Sequence, residues 1–479
     1  MTASSPLVLL DAAGLAARIR RREVSCREVM AAHLDQIERL NPAANAIVSL
    51  RPRAALLAEA EAADAEIAAG GYRGWMHGLP QAVKDLAPTR GMRTTYGSPL
   101  FADNVSDADA ISIGRIRAAG AIFIGRTNVP EFGYGSHTTN PVFGLTRNAY
   151  DPSKSAGGSS GGAAVALALR MLPVADGSDF GGSLRNPAGW NNVFGFRPSF
   201  GRVPFGPAEE VFMSGFSTEG PMARTVTDLG LLLSVMAGRD DRAPLSLAGD
   251  PAVFAAPLDA DMAGVRIGWL GDLGGIPTDP GMLDLCFGGL RRLEEAGCVV
   301  EPARLGVGRE TIWESFVTLR QTVVSGSRGA FYDDPAKRAL LNRQALWEIE
   351  HGRRLSAGAV YAASVQRSAV YQAFRAAFET WDFLALPSAQ VFPFDAALDW
   401  PETIAGVPMD SYHRWMEIVA GPTLAALPAL AAPAGFGPGG LPAGIQLIGR
   451  PHGDLAVLRL ARAYERVSRA VLDRLPPGL

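Results

Sequence analysis

The sequence predicts an α/β protein with parallel or mixed strands, and three features predict it. Between residues 79 and 130, the short apolar runs 79–83 and 121–124 alternate with helix-period stretches such as 108–119, the rhythm of strands joined by crossover helices. A chain of 479 residues with 48% hydrophobic content can bury a large core. Between 133 and 205 glycine, serine and asparagine concentrate in two clusters set against apolar segments, which suits tight turns in a packed domain better than a linker.

Residues 11–40 carry apolar positions at helical spacing, namely Leu15 and Ile19, then Val29, Leu34, Ile37 and Leu40. They predict a pair of packing helices ended by Asn41-Pro42. The alanine-rich stretch 163–172 reads as a core helix and 172–175 as a buried strand. Gly157, Gly158, Gly161, Gly162, Gly181 and Gly182 lie beside them and read as turns that leave backbone N–H groups exposed. From about 300 to 415 the pattern becomes helical and holds Trp313, Trp347, Trp381, Trp400 and Trp415. Aromatics at helical spacing are usually core; as a group these suggest an apolar cap.

Composition excludes several functions. Lys and Arg total 45 against 48 Asp and Glu, and the net charge of -3 supplies no field for a phosphate backbone or anionic lipid. No nucleic-acid partner is expected. No apolar run approaches the roughly 20 residues of a membrane span, so no membrane partner is expected either. The N-terminus lacks a basic leader and a small-residue cleavage site, and Cys26, Cys286 and Cys298 form no CxxC or Cys/His cluster, which fits a reducing cytoplasm. GxxxxGK[ST] is absent, no GxGxxG follows a strand, and the six histidines show no HExxH pairing. Neither nucleotide chemistry nor a metal centre is expected.

Hydrolysis by serine remains. Gly157-Gly158-Ser159-Ser160-Gly161 satisfies GxSxG, but the preceding Asp-Pro-Ser-Lys-Ser-Ala does not read as the buried strand a nucleophile elbow needs. The downstream histidines His351, His413 and His452 sit in ordinary surroundings. Asp179-Phe180-Gly181-Gly182-Ser183-Leu184-Arg185 fits better. A Gly-Gly pair before a serine lets successive N–H groups converge on one point, so Ser183 would attack while the Phe180, Gly181, Gly182 and Ser183 amides bind the oxyanion. Serine needs a base, and a lysine serves when burial lowers its pKa. Lys84, at the end of the 79–83 run, is the candidate; its position alone also fits an ordinary lysine snorkelling from a strand end.

These residues resemble the amidase signature family of Ser–cis-Ser–Lys hydrolases. His77-Gly78-Leu79-Pro80-Gln81-Ala82-Val83-Lys84-Asp85 is similar to its lysine strand, 157–162 to its glycine-serine loop and 179–185 to its nucleophile loop. The resemblance continues through 125–128, 220–224 and 440–450, nearly the whole chain. It implies one domain over 1–479 with a central mixed, mostly parallel, twisted sheet flanked by helices. The catalytic core would occupy about 65–240, and a variable helical, aromatic-rich cap about 300–415. Ser159 would follow a cis peptide and relay a proton between Ser183 and Lys84, while Ser160, Asp179 and Arg185 hold the loops. No cofactor is implied.

Phe180 before Gly-Gly, and the run from Arg185 to Asn192, resemble the branch that hydrolyses nylon-type cyclic amides, aryl acylamides and urethanes. A neutral, hydrophobic amide or carbamate is therefore the expected small-molecule substrate, with Gly158, Phe212, Met213 and Gly215 as expected contacts. Arg320, Arg353 and Arg354 read as solvated helix charges. The expected state is a monomer or homodimer. Two rivals stand: the glutamine-hydrolysing subunit of a tRNA-dependent amidotransferase complex, and a catalytically silent binding protein on the same scaffold.

Overall fold

The computed structural model describes residues 4–213 and 215–479. Among the described residues thirteen strands form: β1 (Ile47–Val48), β2 (Pro80–Lys84), β3 (Ile122–Thr127), β4 (Val174–Asp179), β5 (Phe194–Arg197), β6 (Thr218–Ala223), β7 (Arg266–Trp269), β8 (Val299–Pro302), β9 (Phe383–Pro387), β10 (Thr403–Ile404), β11 (Val407–Pro408), β12 (Ala429–Phe436) and β13 (Pro442–Ile448). They build an eight-stranded sheet in the order β4-β6-β5-β12-β13-β9-β7-β8, a three-stranded sheet β1-β3-β2 and the small ribbon β10-β11. Five helices matter for the site: α1 (Gly161–Ala168), α2 (Arg185–Trp190), α3 (Arg309–Asp333), α4 (Arg343–Gly352) and α5 (Ala357–Ala377).

The α/β class and the mixed sheet are as expected, but the sheet is not mostly parallel. Antiparallel ladders join β4 to β6, β6 to β5, β5 to β12, β12 to β13 and β13 to β9; the parallel pairs of the large sheet are β7–β9 and β7–β8. A short turn between β12 and β13 returns the chain on itself, whereas crossover helices force parallel pairing where they occur. The alternation in 79–130 does mark one such crossover, and β2 and β3 run parallel.

Helices Ala12–Arg20 and Cys26–Ala44 pack at the N-terminal end. The second runs past Asn41-Pro42, contrary to expectation. Pro42 falls in the last turn, where little of the ladder remains to lose, and the stop is Asn45 in the left-handed region (φ 49°). The main core gathers Leu79 just before β2, Ala82 and Val83 within it, Ile122 and Ile124 of β3, apolar residues along α1, and Leu430, Ile445 and Leu447 of the central strands. A second core lies between α3, α5 and β9, built from Ile312, Trp313, Phe316, Val370, Phe374, Leu384 and Leu386.

The 300–415 stretch is not helical throughout. Helices α3 to α5 end at Ala377, and β9 then enters the large sheet. Trp415 is buried and stacks on Trp190 of α2 at 5.6 Å, so both serve packing. Among the described residues no helix is long and apolar enough to cross a membrane.

Candidate active site

Lys84 closes β2 and is buried. Its Nζ donates to Ser159 Oγ at 2.9 Å, Ser160 Oγ at 2.8 Å, Ser178 Oγ at 3.0 Å and the Ser178 carbonyl at 3.1 Å. Burial lowers its pKa to about 7, against the opposing charges of Asp179, Asp176 and Glu219. A neutral amine is therefore populated near neutrality, in contact with hydroxyls whose protons it can accept.

The strand that carries Lys84 is pinned from both sides. Arg126 of β3, fully buried, donates to the Lys84 carbonyl at 3.0 Å and to Asp85 Oδ1 at 3.1 Å. Asp176 of β4 accepts the Lys84 N–H at 3.1 Å and Gln81 Nε2 at 2.8 Å. The Asp176 carboxylate thus ties the three-stranded sheet to the edge of the eight-stranded one.

Ser159 follows a cis Gly158–Ser159 peptide at the entry to α1. The two serine loops touch where the Ser160 N–H donates to the Ser183 carbonyl at 3.3 Å. Ser183 is 7% exposed, and among the described residues its hydroxyl makes no hydrogen bond. Of the expected relay, Lys84 to Ser159 is formed and Ser159 to Ser183 is open. Catalytic hydrogen bonds commonly tighten when substrate arrives.

Asp179 organises the nucleophile loop. Its carboxylate accepts the amides of Gly182 (2.8 Å) and Leu184 (3.1 Å), the Arg185 Nε and Nη2 (both 3.0 Å) and Arg197 Nη1 (3.2 Å). Burial would raise its pKa; Arg185 and Arg197 outweigh burial and hold it below the usual carboxylate range. Arg185 is anchored in turn by Gln446 Oε1 at 2.6 Å, Thr423 Oγ1 at 2.7 Å and the Val419 carbonyl at 3.0 Å. Gly182 adopts φ +94°, and a Cβ there would lie 2.8 Å from Val419 Cγ2, so glycine is required.

One expected oxyanion donor is corrected. The Gly182 amide is bound by Asp179, because the same carboxylate that shapes the loop captures it. The Phe180, Gly181 and Ser183 amides have no such acceptor among the described residues, and they are the donors left to meet an oxyanion.

Lys84, Ser159, Ser160, Ser183, Asp179, Arg185 and Gly158 all come together in the structure. Phe212 and Met213 do not: they are 69% and 66% exposed and their amides bond the Glu210 carboxylate. Gly215 passes its carbonyl to Arg367 Nη2 at 2.9 Å, and Ser214 lies outside the described residues. Arg320 is not the solvated charge its sequence suggests. It is 7% exposed, bonded to Glu348 and to the Tyr412 hydroxyl, and stacked over Phe180 with Cζ 5.0 Å from the ring centroid.

Sequence reasoning misses Asp176, Ser178, Arg126, Arg197, Gln446 and Glu219. Arg126 and Gln446 fall within stretches that already carry the family resemblance, so a signal for them exists. Histidine takes no part: His137 contacts Ser155 rather than Ser159, and no trio of His, Cys, Asp or Glu among the described residues is arranged to hold a metal. A broad groove lined by Arg51, Glu59, Glu66, Arg73 and Arg117 opens near the start of β3, at the other end of the strands from Lys84. Arg51, Arg73 and Arg117 are paired with Glu59, Glu66 and Asp109, and Arg90, also on its lining, donates to the Asp107 carbonyl.

The profile of the family described as Amidase matches residues 28–458, and the chain belongs to the amidase signature family. Its activity class is hydrolysis of an amide C–N bond. The chain is 36% identical over 495 aligned positions to a glutamyl-tRNA(Gln) amidotransferase subunit of Thermus thermophilus, spanning 96% of this chain and 98% of that protein. It is 30% identical over 476 positions to an acylamidase of Rhodococcus erythropolis, spanning 98% and 97%. Among solved structures, a bacterial aryl acylamidase superposes with a TM-score of 0.92 at 30% identity, covering 98% of this chain and 99% of that one.

Proposed function

We propose that the chain hydrolyses hydrophobic aryl amides, and carbamates by the same steps, through an acyl-enzyme on Ser183. The observation that carries this reading is the buried Lys84 amine, with a pKa of about 7, held 2.9 Å from Ser159 Oγ beside the nucleophile loop. Ser183 Oγ attacks the carbonyl while its proton passes to Ser159 and that of Ser159 to Lys84. Phe180, Gly181 and Ser183 amides stabilise the oxyanion. Collapse breaks the C–N bond, the relay protonates the leaving amine, and water repeats the sequence on the acyl-enzyme. With a carbamate the products are an amine, an alcohol and carbon dioxide.

The acylamidase relatives and the aromatic surroundings of the loop, with Phe180 packed on Phe216 at 5.3 Å, support an aryl substrate. The amidotransferase relatives support the rival in which the chain works as the glutaminase component of a complex. Initial rates on an amide and a carbamate of one chromogenic aniline, for wild type and Ser183→Ala, separate the two. Release of aniline by wild type alone sustains the hydrolase; inertness of the isolated wild type on both favours the component of a complex.

A further inference from the structure

Helix α3 lays one face against the loops of the site. Phe316 meets Gly181, where a Cβ would lie 3.0 Å from the Phe316 ring. Arg320, one turn on, stacks over Phe180 and over Tyr134 (Cζ to centroid 5.0 and 5.4 Å). Arg328, two further turns on, stacks over Phe132 at 5.2 Å. Phe132 and Tyr134 flank Gly133, where a Cβ would lie 3.3 Å from Ser159 Oγ. Both guanidiniums therefore stack on aromatic rings of the 132–134 segment, whose central glycine lies against Ser159.

The two arginines differ in one respect. Arg320 is neutralised by Glu348 and bonded to Tyr412. Arg328 is half-buried, and no carboxylate among the described residues pairs with it. Its Nε is buried without any partner, its Nη1 reaches the neighbouring Ser327 carbonyl at a long 3.4 Å, and the guanidinium also hydrogen-bonds the Tyr134 hydroxyl. Burial raises the Tyr134 and Tyr96 phenols, and the Arg328 charge acts on both against it, which places the guanidinium near the two hydroxyls. A partly desolvated cation with an unmade hydrogen bond is unfavourable by itself, and an incoming anion would relieve it.

We infer that Arg328, flanked by Tyr134 and Tyr96, is a recognition site for a carboxylate on the amide substrate. This refines the expected neutral substrate: an aryl amide with an anionic end. The inference rests on the hydrolase reading for where substrate lies, and turnover of a neutral anilide by wild type against Ser183→Ala judges that reading separately.

The test measures binding by calorimetry in the Ser183→Ala background, so it does not depend on turnover. One probe pair carries the carboxylate on the acyl chain, glutaranilic acid against hexananilide. The other carries it on the ring, para-acetamidobenzoic acid against para-methylacetanilide. At least one carboxylate should bind roughly tenfold or more tighter than its neutral partner, as a charge-assisted contact implies. Adding Arg328→Gln should abolish that ratio and leave the neutral compounds unaffected. Arg328→Lys, which keeps the charge but not the fork, should retain part of it. The inference is overturned if neither pair discriminates, if discrimination survives Arg328→Gln, or if Arg328→Lys binds like the parent.

Discussion

Asp179→Asn tests whether one carboxylate holds the nucleophile loop. Asp179 is buried, accepts five hydrogen bonds and faces both Arg185 and Arg197. Asparagine keeps the shape, removes the charge and presents an NH2 to groups that are all donors. Breaking a buried ion pair from one side costs about 3–5 kcal/mol. For 479 residues, an unfolding entropy of about 2.1 cal/mol/K per residue amounts to about 1 kcal/mol/K, so Tm should fall by only about 3–5 °C. The effect on chemistry should be larger. Losing one aligned oxyanion donor costs about a hundredfold or more in rate, and the Gly182 and Leu184 amides that set the loop both bond Asp179. The assay is the second-order rate of labelling by a fluorophosphonate, which needs no knowledge of the substrate, alongside calorimetric Tm. A labelling rate within about threefold of wild type would refute the reasoning, because the loop would then be set by its glycines and helix α2 rather than by the acid.

Four further outcomes are expected. Labelling of Ser183 should rise with pH through about 7 as Lys84 becomes neutral; a flat profile from about pH 5 to 9 would remove Lys84 as the base. Glu219→Gln should move that rise to lower pH, since the Glu219 charge favours the Lys84 ammonium and its removal lowers the lysine pKa further; movement to higher pH contradicts the assignment. Because folding lowers the Lys84 pKa, below about pH 7 both states are protonated and the folded one bears the full cost of a buried ammonium. Between about pH 7 and the usual lysine value the folded state sheds that proton while the unfolded state keeps it, so stability rises with pH across this window and the cost of burying the lysine vanishes only above it. Lys84→Met should therefore raise Tm most below about pH 7 and least at alkaline pH, and a gain independent of pH counts against burial as the cause. Gly182→Ala, which forces a Cβ against Val419 at a φ of +94°, should slow labelling by about tenfold or more without loss of the folded CD spectrum.

The site is legible where chemistry is local in sequence. Asp179 to Arg185 are contiguous, and their roles follow from one loop. Lys84, Ser159 and Ser183 can be found because each sits in a distinctive motif. What sequence does not convey depends on partners brought from far along the chain. Arg320 looks like any helix arginine until Glu348 and Tyr412, 28 and 92 residues away, close around it. The family resemblance puts Phe212 and Met213 near the site, yet a resemblance in sequence does not say which way a loop turns. Strand direction is lost similarly: alternation identifies strands, but the connections decide their sense, and the 79–130 crossover is not typical of the large sheet.

The seam at Asp176 bears on how this enzyme can fail. Lys84 hangs from the three-stranded sheet and Ser183 follows a strand of the eight-stranded one, so their spacing is a distance between two bodies. Asp176 spans the gap with two hydrogen bonds. A slip of about 1 Å between reacting groups can cost about a hundredfold in rate, while a slip of that size would leave every strand and helix intact. The chain can therefore be silenced by damage at a joint that lies outside the Lys84, Ser159 and Ser183 side chains and still fold, stain and crystallise as a healthy protein. Inactive relatives on this scaffold are best sought first at that joint, before their serines are blamed.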